Sequence, residues 1–318
     1  MAIAWLGIDR QLDVKRLIIV YSPNSTSFSE VEREVIVKSR KIKGWMVAKF
    51  EVKEASVRDN ASRLAKIIRK GDLVLSVGGD GTATMSMNAV IKSEEIATLA
   101  VMPFGNFNDF AETLGRMSFE QIIRRFEEER YIDFYPLDIR VNKKHYAYSG
   151  LYFTIGMMAE AVGVLKRPRV RRELLKARNR MRFSARKLFG WYIKNKHRTN
   201  FLPSETKLNG LTLAKGTTDY VAMNGSSLAG VVPGGMWYRS ASQFWSGTMR
   251  NRSLFRMFRK FMIALGGDLP GKESKDDVLT FDKLSSVYVH VEGEGEKLDS
   301  VSEISVSKSE KGLRVIRA

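Results

Sequence analysis

Gly78-Gly79-Asp80-Gly81-Thr82 directly follows a short apolar run, Leu73 to Val77, and opens a stretch of helical spacing from Thr82 to Ile91. Glycines at such a strand-to-helix turn let the backbone approach an anion and point several N–H groups at it. The helix N-terminus adds a favourable dipole. Asp80, inside that turn, is placed to hold a cation against phosphate charge. A second turn, Pro103-Phe104-Gly105-Asn106-Phe107-Asn108-Asp109-Phe110-Ala111, follows another apolar run, Leu99 to Met102. Asn108 and Asp109 begin the next helix, where they cap it, serve a ligand, or do both. A Gly-Gly pair alone suits any tight turn. An Asp flanked by glycines at the carboxyl end of a strand favours phosphate binding.

The elements that must carry these turns alternate. Arg16 to Tyr21 is a run suited to a buried strand, and it ends in the turn cluster Ser22-Pro23-Asn24-Ser25. Ser29 and Glu32 have the spacing of a capping box for the helix that follows. Trp45 to Val52 alternates like a strand, and Val57 to Arg69 has Ala61, Leu64, Ala65 and Ile68 at helical spacing. Strand–helix alternation with continuous apolar strands predicts a parallel sheet covered on both faces, with both glycine turns opening onto one crevice. After about Tyr131 the texture changes. Phe134 to Val141, His145 to Ile155, Asp219 to Met223 and Val287 to Glu292 read as strands rich in β-branched and aromatic residues. The expected architecture is an α/β domain with a mostly parallel sheet over residues 1–132. A mainly β, sandwich-like domain with basic helical insertions follows over 133–318.

The 318 residues hold no cysteine and three histidines. That excludes disulfides and Cys-ligated zinc and makes a His-rich metal site improbable. A metal would be held by carboxylates and phosphates, which points to magnesium. The apolar N-terminus lacks a basic n-region and a small-residue cleavage site, and the run Leu151 to Leu165 is interrupted by Glu160 and too short to cross a bilayer. The chain reads as cytoplasmic. Its net charge of +18 is concentrated: Lys166 to Arg198 holds fourteen Lys/Arg and one acid, Glu173. Asp268 to Glu310 carries five Lys against eleven Asp/Glu. One face is expected to meet something anionic.

With GGDGT and PFGNFNDFA about 25 residues apart, the chain resembles the diacylglycerol kinase catalytic domain family, which includes bacterial lipid kinases and sphingosine kinases. The resemblance extends over nearly the whole chain. Ser22-Pro23-Asn24-Ser25 looks like the family's nucleotide turn. Asn224-Gly225 and Gly234-Gly235-Met236 look like its second-domain Asn-Gly and Gly-Gly-Gly segments, and Glu292-Gly293-Glu294 like its Asp-Gly-Glu motif. The resemblance implies ATP in a cleft between two domains, magnesium on the phosphates and a lipid hydroxyl as acceptor. It makes Ser22, Asn24, Gly78, Gly79, Gly81, Thr82, Gly105, Asn106 and Asn108 nucleotide-binding. Asp80 and Asp109 would position metal or acceptor, and Glu294 would be the base. The chain departs from the family at Asn106 (usually Thr), Ser22 (usually Asn), Thr26 (Gly nearby) and Glu292 (Asp). Ser246 stands where many members have an aspartate of a structural metal network, and a serine cannot supply that charge.

The basic segment has Leu174, Ala177, Met181, Ala185, Leu188 and Tyr192 at steps of three and four, one apolar stripe on a helix otherwise Arg and Lys. Phe189 and Trp191 sit near its end, where interfacial aromatics are useful. A second stretch, Arg252 to Leu265, repeats the theme. A solvated helix face rarely needs fourteen cations, so an anionic membrane is the expected partner, with Arg171, Arg172, Arg178 and Arg182 among its contacts. Three functions stay open in this order: a lipid kinase acting at the membrane, a catalytically inactive relative that binds membrane or nucleic acid, and an NAD kinase. No nucleic-acid motif accompanies the charge.

Overall fold

The computed structural model describes residues 14–23, 28–53, 56–105, 108–177, 180–195, 198, 201–228, 232–233, 237–250, 271–291 and 294–318. Asn24, Asn106, Arg178, Gly234-Gly235-Met236, Glu292 and the second basic stretch fall outside them.

The first domain holds β1 (Lys15–Tyr21), α1 (Phe28–Val31), β2 (Trp45–Glu51), α2 (Val57–Ala65), β3 (Leu73–Gly78), α3 (Asp80–Ser93), β4 (Thr98–Pro103), α4 (Asp109–Leu114), α5 (Phe119–Glu127) and β5 (Tyr131–Phe134). Strands β2, β1, β3 and β4 lie side by side in that order, all parallel. Every residue of β3 is buried, as are the last five of β1, because helices cover both faces. The strand order reverses between β1 and β3. Such a switch point leaves a crevice outside the carboxyl ends of the strands.

The second domain holds β6 (Leu137–Val141), β7 (Lys144–Ser149), β8 (Tyr152–Gly156), α6 (Met157–Lys166), α7 (Pro168–Lys176), α8 (Arg180–Asn195), β9 (Lys207–Leu208), β10 (Leu211–Thr212), β11 (Thr217–Met223), β12 (Ser227–Leu228), β13 (Val232–Pro233), β14 (Phe244–Arg250), β15 (Lys272–Ser274), β16 (Asp276–Val291) and β17 (Glu294–Lys308). Its strands form one antiparallel sheet, β15-β14-β11-β8-β16-β17-β6-β7, with the short β9–β10 pair alongside β16, and β12 and β13 make a separate two-stranded ribbon. The register of β16 against β17 shifts between Thr280 and Val287. Leu279 and Phe281 before that irregularity share one core with Val287, Val289 and Val291 after it, so the sheet folds over its own apolar face.

The chain then returns. β18 (Leu313–Ile316) enters the first sheet between β4 and β5, parallel to β4 and antiparallel to β5. The division at 132/133 placed these residues in the second domain. The C-terminus instead completes the first sheet, which also keeps β5 through Phe134. Tyr135-Pro136 and 309–312 are therefore paired crossovers, and Ser309 N–H donates to Pro136 O at 2.8 Å.

Three local expectations are corrected. Ser29 lies inside α1 instead of capping it, and the helical turns run on as a π-helix, Glu32–Val37. A capping box does form at α5, where Ser118 and Gln121 satisfy each other's backbone N–H. His145 to Ile155 is two strands, β7 and β8, reversed at Gly150-Leu151. The basic segment is not one helix: it begins at the last residue of α6 and continues as α7 and α8, broken at Arg167-Pro168 and again before Arg180.

Candidate active site

Because β3 and β4 are parallel neighbours, the two glycine turns emerge side by side. Gly79 caps α3 in an extended conformation, and its carbonyl accepts from Thr82 N–H at 3.0 Å and Ala83 N–H at 3.1 Å. Phe104 N–H donates to Gly78 O at 2.9 Å, which ties the second turn to the first. The turns touch at their glycines: a Cβ built on Gly105 would lie 2.2 Å from Gly79 Cα. Asn108 closes the second turn on itself. In a left-handed conformation (φ 58°), its Oδ1 accepts from Gly105 N–H at 2.7 Å and its Nδ2 donates to Gly105 O at 2.8 Å. Thr82 packs against Gly78, and nothing lies within 4 Å of a Cβ built on Gly81. Gly81 is thus the glycine of the two turns whose missing side chain leaves open space. Ser22 follows the carboxyl end of β1 on the same edge, half-buried.

Both acids lie in the first turn of a helix. Asp80 Oδ1 accepts from Phe110 N–H at 2.9 Å, so its carboxylate caps α4 from the neighbouring helix. Burial pushes the Asp80 carboxyl up from its ordinary range, against the backbone N–H groups of Phe110, Asp109 and Asn108 that favour its charge. Asp109 is fully buried in the first turn of α4. Among the described residues no three His, Cys, Asp or Glu side chains gather to hold a metal.

The second domain closes over this edge. Leu151, Tyr152, Val221 and Met223 share one apolar cluster with Ala83, Met87 and Phe110 of the first domain. Gly150 packs so closely on Phe110 that a Cβ there would meet its ring at 2.5 Å. Asn88 Nδ2 donates to Tyr148 O at 2.9 Å and its Oδ1 accepts from Tyr148 N–H at 3.1 Å. Glu294 opens β17 in register with Val291, itself paired with Phe153 of β8. The next residue, Gly295, lies under α6, with Ala159 O 3.5 Å from where its Cβ would be.

Helix α6 is held from below by Asp219 of β11. Asp219 Oδ1 accepts from Met158 N–H at 2.6 Å, and Oδ2 accepts from the Thr218 hydroxyl at 2.7 Å. The residue is fully buried, and burial pushes its carboxyl up to about 6. The raised value means the unfolded chain ionises first. Stability from this group is complete below about pH 4 and declines as pH rises to 6, a loss of about 3 kcal/mol above that. Asp219→Asn keeps an acceptor for Met158 without the charge. Urea unfolding at pH 8 is expected to give a more stable variant, with the advantage gone at pH 4; equal gaps at both pH values would refute this.

One further residue escaped the sequence reading. Lys308 is 7% exposed, and its ammonium donates to Tyr135 O, Asn224 Oδ1 and Trp237 O. Asn224 Nδ2 donates in turn to Tyr135 O and Gly150 O. The Asn-Gly segment thus braces the paired crossovers. The available signal was alternation: Lys308 falls on the same face of β17 as buried Ile304 and Val306. Ser246, in the place of the family's aspartate, is buried with its hydroxyl 2.9 Å from that of Ser274, a neutral pair in that corner.

On the basic hairpin, Tyr192 and Ser184 turn inward while Arg182, Arg186, Phe189 and Ile193 are exposed at steps of four, three and four. The exposed stripe is therefore cationic and apolar together, and Phe189 belongs to it. Trp191 instead packs against Phe201 with the two rings tilted and their centres 5.9 Å apart. Arg172 is exposed on α7, which also carries Arg171. Glu160 of α6 anchors the end of the hairpin through a two-pronged pair with Arg198, at 2.8 and 3.1 Å.

Two touching glycine turns at the carboxyl edge of a parallel sheet, covered by an antiparallel domain, define the two-domain fold. Residues 16–134 match the model of the diacylglycerol kinase catalytic domain. Among curated proteins, a diacylglycerol kinase of Bacillus subtilis (strain 168) is 32% identical over 104 residues, 32% of this chain and 34% of that protein. A diacylglycerol kinase of Staphylococcus saprophyticus is 27% identical over 103 residues, 31% of this chain and 33% of that protein. The chain thus spans about a third of the length of the curated relatives it matches. In solved structures, a diacylglycerol kinase from Bacillus anthracis str. Sterne shares the fold with a TM-score of 0.65 at 16% identity, covering 96% of this chain and 97% of that one. Among the described residues, no helix is long and apolar enough to cross a membrane.

Proposed function

We propose that the chain is a lipid kinase that transfers the γ-phosphoryl group of ATP to the hydroxyl of a diacylglycerol-like lipid at an anionic membrane surface. The observation that carries this reading is the contact of Gly79 with Gly105, which joins two backbone turns into one cradle at the carboxyl edge of the sheet. N–H groups of a helix's first turn lack intrahelical partners and favour an anion. Phosphoryl transfer asks mainly for alignment and charge neutralisation, which such a cradle supplies. The acceptor hydroxyl attacks the γ-phosphorus, the bond to the ADP oxygen breaks, and Glu294 takes the hydroxyl proton. Asp80 and Asp109 act by holding α4 and the second turn in place. Magnesium belongs to this reading as the counter-ion of the nucleotide phosphates.

The basic hairpin supports the membrane part of the reading. α6 lies along β17 beside Gly295, and α7 and α8 continue from its end, so the cationic stripe is connected to the strand that begins at Glu294. An anionic leaflet would attract each exposed cation by about 1 kcal/mol, and Phe189 and Ile193 would enter the interface. Replacing Arg172, Arg182 and Arg186 with Gln is expected to weaken sedimentation with anionic vesicles roughly a hundredfold at low salt. Unchanged or salt-insensitive binding would refute the docking surface. The activity itself is tested with labelled ATP and a panel of vesicle-borne lipid alcohols. Label appearing in one of them supports the reading, and vesicle binding without turnover on any lipid would favour an inactive relative.

A further inference from the structure

Three side chains from three elements meet across the domain boundary, outside the glycine turns. Arg58, in the first turn of α2, places its guanidinium carbon 4.1 Å from the centre of the Tyr146 ring on β7. The Tyr146 hydroxyl donates to Glu296 Oε1 on β17, and the same oxygen lies 3.9 Å from Arg58 Nη2. Burial, followed by the adjoining Glu296 carboxylate, pushes the Tyr146 hydroxyl well above its usual range, so it remains a donor.

The place of this cluster gives it a purpose. β2 runs parallel to β1, so the connection into α2 lies at the carboxyl edge, where Val52 N–H donates to Tyr21 O at 2.9 Å. Arg58 therefore stands on the same edge as Ser22 and both glycine turns. Glu296 follows Glu294 by two residues on the same strand. The Asn88–Tyr148 pair and a hydroxyl contact between Thr113 and Ser226 (2.9 Å) also join the domains, through α3 and α4. The Arg58 cluster is the contact that engages the beginning of β17.

We propose that Arg58, Tyr146 and Glu296 are positioning residues, a clasp that holds the start of β17 against the nucleotide edge and so sets the reach of Glu294. This deepens the kinase reading and rests on it for the role of Glu294. An exposed ion pair alone contributes little stability. A guanidinium stacked on a ring that is itself tethered to the same carboxylate fixes a direction, and positioning depends on geometry more than on energy.

Arg58→Glu sets two acids against each other and should open the clasp. The expected result is a fall in kcat of about tenfold or more, with the KM for ATP and the melting temperature unchanged. Arg58→Glu combined with Glu296→Arg should recover most of the loss. A second measurement does not depend on turnover. The chain has no cysteine, so Lys66→Cys and Lys283→Cys, both at exposed positions, would carry the only spin labels, one per domain. Pulsed electron resonance should give a longer or broader separation in the Arg58→Glu background and the original one in the charge-swapped background. An unchanged separation, or a shifted separation with unchanged kcat, would overturn the proposal. A shift in a protein that phosphorylates no lipid would leave the clasp standing and remove the kinase reading instead.

Discussion

Gly81→Val is expected to fold normally and to lose ATP. Nothing lies within 4 Å of a Cβ at Gly81, its φ is not in the left-handed region, and valine is a better helix former than glycine. Thermal stability should therefore hold or rise slightly. In the cleft, the new isopropyl group would occupy the space that the cradle reading assigns to phosphate. Affinity for ATP, read by calorimetry, should fall at least about a hundredfold, because the backbone can no longer approach the anion. Gly105→Ala makes the contrast: its methyl would meet Gly79 Cα at 2.2 Å and Asn108 Oδ1 at 2.9 Å, so both stability and binding should suffer. A folded Gly81→Val protein with unchanged ATP affinity would remove the phosphate cradle.

The second large effect is expected at Glu294. Glu294→Gln keeps the shape and the hydrogen-bonding capacity of the side chain but cannot take a proton. General-base catalysis contributes about 10² to 10⁴ in rate, and kcat should fall within that range while ATP affinity and melting temperature stay put. A fall in affinity with kcat preserved would assign Glu294 to binding, and near wild-type turnover would exclude it from the reaction.

The parallel sheet was legible because its information is local. Leu17 to Val20 and Leu73 to Val77 are runs without alternation, and strands buried on both faces leave no polar positions to break them. The glycine turns were legible for the same reason, since their place after each run is written in adjacent residues. Asp80 was harder. Its type suggested a cation, but not that it also accepts from Phe110 N–H, 30 residues away, while Asn108 leaves α4 without a side-chain cap by turning back to Gly105. Nothing near Asp80 in the chain announces that exchange.

The basic segment misled in another way. Steps of three and four ran from Leu174 to Tyr192 as if along one helix, yet the end of α7 at Lys176 divides the path. Tyr192 at the far end is buried by packing, while the outward stripe is Arg182, Arg186, Phe189 and Ile193. Return of the chain to the first sheet as β18 was not legible at all. Leu313–Ile316 is four residues long, and a strand's choice between two sheets is decided by tertiary contacts rather than by its own pattern.

The central claim is a bond: phosphate moved from ATP to a lipid hydroxyl. The most direct measurement is phosphorus NMR of the extracted products after incubation with ATP, magnesium and anionic vesicles containing diacylglycerol, with NAD also present. The account predicts ADP and a new phosphomonoester on the lipid in equal amounts, absent with Glu294→Gln. Orthophosphate alone, phosphate on NAD, or unconsumed ATP would contradict it.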